Sequence, residues 1–266
     1  MRIQYIPSAS DTDAAYQFLT SFIINDHIAI DAGAIGLVSP PSRQKQIRHV
    51  FLSHSHIDHV ATLPMFLHNA YDPPSECVRL YASQFVHDCL RRDMFNGHLW
   101  PDLIKLSDSS HPLIELIPLQ ESQPVQIGTL QITPISVDHV VPCFAFLLEE
   151  PGTTAAIITD TGPTQAVWKK LRSAETLAAV FLEASFPQAF QSMAEKSKHL
   201  TTSQFLHEIT KLDQVVPLYA IHLKAEFHDQ IVCELQALGL DNLEIGSART
   251  RIPGDRYKMT VAFGDG

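Results

Sequence analysis

An α/β layered domain, with sheets covered by helices, is the fold class the sequence predicts. Three observations predict it. Short runs rich in Val, Ile, Leu and Phe recur along the chain and end at polar or turn residues. Amphipathic helical patterns lie between several of them. The length of 266 residues and the apolar content of 45% supply a real core and argue against disorder. A single domain over residues 1–266 is the expectation.

In chain order the strand-like runs are FIIND, HIAIDAG, HVFLSH, TLQITPISVDH, FAFLLEE, AAIITDTG, AVFLEAS and LYAIHLK. A helix is expected over DHVATLPMFLHNAY, directly after HVFLSH. In TTSQFLHEITKL, Thr201 and Gln204 form a capping box ahead of Phe205, Ile209 and Leu212 on one stripe. In AEFHDQIVCELQALGL, Phe227, Ile231, Leu235 and Leu238 share a face, and Gly239 stops the helix. No repeat, long linker or low-complexity tract interrupts this order. The stretch at about 89–112, CLRRDMFNGHLWPDLIKLSDSSHP, is the least regular. It reads as an excursion that forms a lid or a subunit contact, the latter making a homodimer.

Composition excludes several function classes. With 29 acidic against 19 basic residues and a net charge of −10, nucleic acid is not an expected partner. Cys77, Cys89, Cys143 and Cys233 form no C-x-x-C pair, so buried free thiols are expected rather than a zinc ribbon or redox motif. The first residues, MRIQYIPSASDTDAAYQF, carry no apolar signal segment. No uncharged apolar run reaches the 18 or so residues of a membrane span. A cytoplasmic protein with no membrane partner is expected.

The chemistry concentrates in FLSHSHIDHV. His54 and His56 are two apart after a strand, so they point the same way and can share one metal ion. Asp58 and His59 fall where the chain enters a helix, point elsewhere and suit a second ion. Imidazole and carboxylate ligands without cysteine fit Zn²⁺, Mn²⁺ or Fe²⁺. One turn cannot complete two coordination spheres. His139, Asp160 and His222 each close or follow an apolar strand, where α/β sheets carry their chemistry.

His-Ser-His-Ile-Asp-His at 54–59, followed in order by His139, Asp160 and His222, resembles the metallo-β-lactamase superfamily. The resemblance runs from IAIDAG to AIHLK, nearly the whole chain. It implies an αββα sandwich of two mixed β-sheets flanked by helices, with a two-metal site at one edge. It further implies that His54, His56 and His139 hold one metal and Asp58, His59 and His222 the second, with Asp160 bridging them. Asp31 matches the family's early aspartate, which either stands behind the ligands or serves the fold.

Two close metals suit hydrolysis, a bridging hydroxide attacking while the ions hold the developing negative charge. The stretches LTSFIINDHIAIDAGAIG, HVFLSHSHIDHVATLPMFL, VFLEASFPQAF and KHLTT resemble the class II 3′,5′-cyclic-nucleotide phosphodiesterases and their bacterial relatives. Thr62 and Pro64 depart from that pattern, which carries Gly or Ser and an aliphatic residue there. FLEASF followed by KHLTT also resembles the paired motifs of the tRNA 3′-end processing endonuclease. Leu182 stands where that enzyme has histidine, while Glu183 and His199 remain. His139 and Asp160 are only 21 positions apart, which leaves no room for a tRNA-clamping arm.

The reading is a dinuclear-metal phosphodiesterase acting on small diesters, cAMP or cGMP first, with Asp58, Asp160, His199 and Glu183 as its catalytic set. Its cofactors are two divalent ions, zinc first, with manganese or iron as alternatives. A tRNA 3′-processing-like endonuclease and a thioester or lactone hydrolase are the alternatives within the superfamily. A metal-stabilised binding protein is the alternative outside catalysis. Arg91 and Arg92 bind phosphate if the excursion folds over the site, and otherwise form a solvated helix face. His87, His98, His111, His207 and His228 are left to surface or core, and Cys143 to packing.

Overall fold

A computed structural model describes residues 1–6, 8, 16–71, 77–108, 112–174, 176–246 and 259–262. His111 lies outside these residues. The chain divides into two compact units. Unit 1 comprises the described residues of Met1–Ser8, Leu19–Gln120 and Arg251–Ala262, and unit 2 those of Ala9–Phe18 and Glu121–Thr250.

Unit 1 is built on a seven-stranded sheet. Its strands are β1 (Arg2–Tyr5), β2 (Phe22–Ile24), β3 (Ile28–Ile30), β4 (His49–Phe51), β5 (Val78–Ala82), β6 (Ile114–Pro118) and β14 (Met259–Ala262). The order is β14-β1-β2-β3-β4-β5-β6, antiparallel as far as β3 and parallel beyond it. Asn25 and Asp26 turn β2 into β3 with φ of 47° and 65°, a left-handed conformation that these residue types accept. Parallel neighbours need crossovers, and helices fill them. The helix expected after HVFLSH is two helices, Ile57–Val60 and Leu63–Ala70, with Pro64 in the first turn of the second. Leu63, Phe66 and Leu67 bury one face of it in a cluster with Ala29, Val50 and Leu80. Complete burial of Phe66 contributes roughly 1.5–3 kcal/mol.

The irregular stretch at about 89–112 is partly core. Leu90, Met94 and Phe95 are buried in the unit 1 cluster, with Trp100, Leu103 and Ile104 packed against it. Arg91 pairs with Asp88 and Arg92 with Asp93, all on exposed surface. The solvated-face reading of these arginines therefore describes them.

Unit 2 repeats the plan. Its strands are β7 (Val125–Ile127), β8 (Leu130–Val137), β9 (Cys143–Glu150), β10 (Thr153–Ile158), β11 (Leu177–Glu183), β12 (Leu218–Ile221) and β13 (Leu243–Ile245). They lie in sequence order, antiparallel through β10 and parallel beyond it. Gly128 and Gly152, at φ of 59° and 76°, make the tight β7–β8 and β9–β10 turns. The capping box of Thr201 and Gln204 is present, and the helix it opens spans Thr202–Ile209. The last helix spans His228–Ala237, and Gly239 follows it at φ 64°. Trp168, Phe205, Ile231 and Leu235 anchor the helices in one core.

The four cysteines are free thiols. Only Cys143 is buried: Cys77 and Cys89 are half-buried and Cys233 is exposed, which corrects the expectation of burial for three of them. Cys233 stands two positions from Ile231 and from Leu235, the buried residues of its helix, and so falls on the opposite face. Among the described residues no helix is long and apolar enough to cross a membrane.

Candidate metal centre

In unit 1 the histidine turn leaves the C-terminal end of β4. The backbone around it is tightly fitted. Ala32 N–H donates to His59 O at 2.7 Å, and Thr20 N–H to Asp58 O at 2.9 Å. A Cβ on Gly33 would stand 2.0 Å from the Asp58 carbonyl oxygen, so no other residue fits there. The glycine of the IAIDAG run thus makes room for the ligand turn.

Asp31 ends β3 at φ 59° and is fully buried. Its carboxylate accepts from Ser53 N–H at 2.7 Å, from the Ser53 hydroxyl at 2.9 Å and from His59 Nδ1 at 2.7 Å. The Ser53 hydroxyl lies 2.9 Å from His54 Nδ1. Since that hydroxyl donates to Asp31, it accepts from His54. Both rings then carry their proton on Nδ1 and offer the Nε2 lone pair outward. The His54 ring lies 4.6 Å from that of His56 and 4.2 Å from that of His59. His59 Nε2 is 3.6 Å from Asp58 Oδ2. Unit 1 therefore gathers His54, His56, Asp58 and His59 in one place.

In unit 2 the ligand-type residues come from four loops. Asp160 follows β10 and is buried. Three imidazole nitrogens face its carboxylate: His139 Nε2 at 3.7 Å, His199 Nε2 at 3.8 Å and His222 Nε2 at 3.4 Å. Their Nδ1 atoms are held from behind. His139 Nδ1 donates to Lys198 O at 3.1 Å, His199 Nδ1 to Glu183 Oε1 at 2.9 Å, and His222 Nδ1 lies 3.1 Å from the Ser185 hydroxyl. Lys198 presents its carbonyl from a left-handed turn at φ 53°. Glu183, fully buried at the end of β11, also accepts from Thr161 N–H, Leu200 N–H and the Ser185 hydroxyl, at 2.6, 3.1 and 2.5 Å. Burial alone would push the His199 pKa down. The charge and hydrogen bond of Glu183, with the charge of Asp160, outweigh it and hold the imidazole above its ordinary value.

These contacts test whether the residues fit a metal. The three Nε2–carboxylate separations are too long for hydrogen bonds. They match the edge of a tetrahedron around an ion with bonds near 2.1 Å, about 3.4 Å. Donor atoms of Asp160, His199 and His222 all lie within 4.8 Å of one another, and all three residues are buried, so His199 stands beside any ion that Asp160 and His222 hold. Imidazole and carboxylate donors whose far sides are hydrogen-bonded are the chemistry of a divalent transition-metal site. The residues fit such an ion.

Sequence reasoning missed Ser53, Ser185 and Lys198. The first two had a faint signal, each lying beside or two residues beyond a strand end that carries a ligand or its carboxylate partner. Lys198 acts through its carbonyl, which every residue type has. Among the histidines set aside, His87 is buried with Nε2 against Leu80 O, His228 is buried, and His98 and His207 are exposed.

Two mixed seven-stranded sheets flanked by helices, with histidines and aspartates at their strand ends, define a metal-dependent hydrolase of the metallo-β-lactamase type. Residues 28–223 match the Beta-lactamase superfamily domain, and the chain belongs to that family. It is 25% identical over 264 residues to a "Probable 3′,5′-cyclic-nucleotide phosphodiesterase" of Yersinia pestis, covering 79% of this chain and 74% of that one. Among solved structures it is similar to the metallo-beta-lactamase fold protein YhfI from Bacillus subtilis, with TM-score 0.70 and 17% identity over 98% of this chain and 99% of that one. Unliganded yeast PDE1 matches with TM-score 0.72 and 13% identity over 92% and 96%. The two mixed β-sheets flanked by helices expected from the sequence are the ones found.

Proposed function

We propose that the protein is a dinuclear-metal phosphodiesterase that hydrolyses 3′,5′-cyclic nucleotides to 5′-nucleotides in the cytoplasm. In this reading His54, His56 and His139 hold one ion, Asp58, His59 and His222 the other, and Asp160 serves both. Bound divalent ions, zinc first, would supply Lewis acidity that lowers the pKa of water and offsets charge on phosphoryl oxygens.

The observation that carries the reading is the buried Glu183–His199 pair beside Asp160. Opening a cyclic phosphodiester breaks the bond between phosphorus and the 3′-oxygen, and that alkoxide needs a proton as it leaves. His199 holds a proton on Nδ1 against Glu183 and turns Nε2 toward the Asp160 carboxylate. The Glu183 carboxylate favours the imidazolium form of His199, and a proton on Nε2 of that form would go to the departing 3′-oxygen. Asp31 and Ser53 keep His54 and His59 in the tautomer a ligand needs. The name of the Yersinia pestis relative supports the choice of a cyclic nucleotide.

His199→Ala tests it. General acid help is worth typically 10²–10⁴-fold. The variant should lose about that factor on cAMP and far less on bis-p-nitrophenyl phosphate, whose nitrophenolate leaves unprotonated, at unchanged metal content. Equal losses on both with metal content down would make His199 a ligand instead. A wild-type enzyme that cleaves nitrocefin or a thioester but neither diester would replace the reading with another hydrolase.

A further inference from the structure

Unit 2 carries an aromatic row that the chemistry above leaves unused. The His199 ring stacks on His222 at 5.5 Å and 16°. Phe186, just past β11, lies 6.0 Å from His199. Phe227, in the turn after β12, lies 6.0 Å from Phe186 and 4.3 Å from Phe190. Phe186 is buried, Phe227 partly so, and Phe190 is 38% exposed. The row thus leads from the ligand residues outward to solvent.

Three features separate this row from an ordinary core edge. Its members come from two different loops, each leaving the C-terminal end of a parallel strand, where α/β sheets bind ligands. Its outer end keeps large apolar groups in water, Phe190 and the neighbouring Met193, instead of sealing them. Its inner end lies at the ligand-type residues, where His199 and His222 face the Asp160 carboxylate. Lys224 shares the turn between His222 and Phe227, is half-buried, and forms no ion pair among the described residues, while its charge is felt at His199. An inner end at the residues proposed to hold ions, joined to a flat apolar outer end, matches a phosphate joined to a planar ring.

We propose that Phe190, backed by Phe227 and Phe186, is the platform on which the base of a nucleoside phosphodiester stacks, with Lys224 facing its phosphate. The proposal rests on the phosphodiesterase reading and narrows it to esters that carry a base. Stacking on an aromatic side chain tolerates any base, because every base offers a π-face. The platform therefore selects nucleosides over plain diesters without choosing between adenine and guanine.

The test compares cAMP with ribose 3′,5′-cyclic phosphate, which has no base, on metal-loaded enzyme. Phe190→Ala should raise KM for cAMP about tenfold or more relative to its effect on the base-free ester. Phe190→Trp should restore the wild-type ratio. An equal change for both esters, or none, overturns the platform. If wild type turns over neither ester, the phosphodiesterase reading falls and calorimetry decides the platform alone. 5′-AMP should then bind more tightly than ribose 5-phosphate, and Phe190→Ala should erase the difference. Equal binding of the two by wild type overturns it.

Discussion

The two units orient histidines with the same three-part device, built from different sequence. In unit 1 the buried carboxylate of Asp31 holds His59 directly and reaches His54 through the Ser53 hydroxyl. In unit 2 the buried carboxylate of Glu183 holds His199 directly and reaches His222 through the Ser185 hydroxyl. Each device fixes two Nδ1 protons and frees two Nε2 atoms. The units differ in how far apart the parts lie in the chain. Unit 1 takes four ligand-type residues from one six-residue turn, whereas unit 2 takes His139, Asp160, His199 and His222 from four loops. A compact turn can be positioned by one neighbouring strand end, here Asp31 to Gly33. Scattered residues need a hub, and Glu183 is that hub, with one hydrogen bond to Ser185 in its own segment and three to two other segments, at Thr161 and at His199–Leu200.

The largest expected effect comes from the residue all three unit 2 histidines face. Asp160→Ala should abolish turnover while circular dichroism stays native, because ligands displaced by about 1 Å already cost about a hundredfold. Wild-type rates with normal metal content in that variant would remove Asp160 from the centre.

Next come the two buried carboxylates. Partners that orient metal-binding histidines are typically worth 10–100-fold in metal affinity or activity. Asp31→Ala and Glu183→Ala should each lose about that much. Glu183→Ala should also lower Tm more, since it strips acceptors from Thr161 and Leu200 N–H. A Glu183 variant that melts and binds metal like wild type would break the parallel between the units.

The serines should matter less. Each relays one hydrogen bond, worth roughly 1 kcal/mol or about fivefold. Ser53→Ala and Ser185→Ala should weaken metal binding by similar factors, measured by competition with a chelating dye. A loss in one and none in the other would show that only one relay operates.

The smallest effect contrasts two buried histidines. Burial pushes the His87 pKa below its usual 6.5, only partly opposed by its hydrogen bond to Leu80 O, whereas Glu183 holds His199 up. For His87 the unfolded chain binds the proton first. Its stabilising contribution is therefore present above about pH 6.5 and is lost as pH falls through the folded value. His87→Gln should flatten the decline of Tm on acidification between neutral pH and about pH 5. An unchanged slope would show that His87 is not the group responsible.

How much of this was legible in the sequence follows from the same contrast. The unit 1 set could be read outright, because His54, His56, Asp58 and His59 crowd one strand end. His139, Asp160 and His222 could be read only as strand-end residues, and their convergence is a property of sheet order. Ser53 and Ser185 passed unnoticed, since a single serine has no pattern. The strands at Arg2–Tyr5, Val78–Ala82, Ile114–Pro118, Val125–Ile127, Leu243–Ile245 and Met259–Ala262 were not named either. Several are short edge strands whose pairing comes from neighbours rather than from their own composition. The break between the helices at 57–60 and 63–70 was missed because the hydrophobic period continues across it.

The central claim is that the two oriented sets hold metal, and elemental analysis tests it most directly. Protein purified without chelator should carry about two equivalents of divalent metal per chain, as a two-metal hydrolytic site requires. Protein that stays metal-free after addition of Zn²⁺, Mn²⁺ or Fe²⁺ would contradict the account.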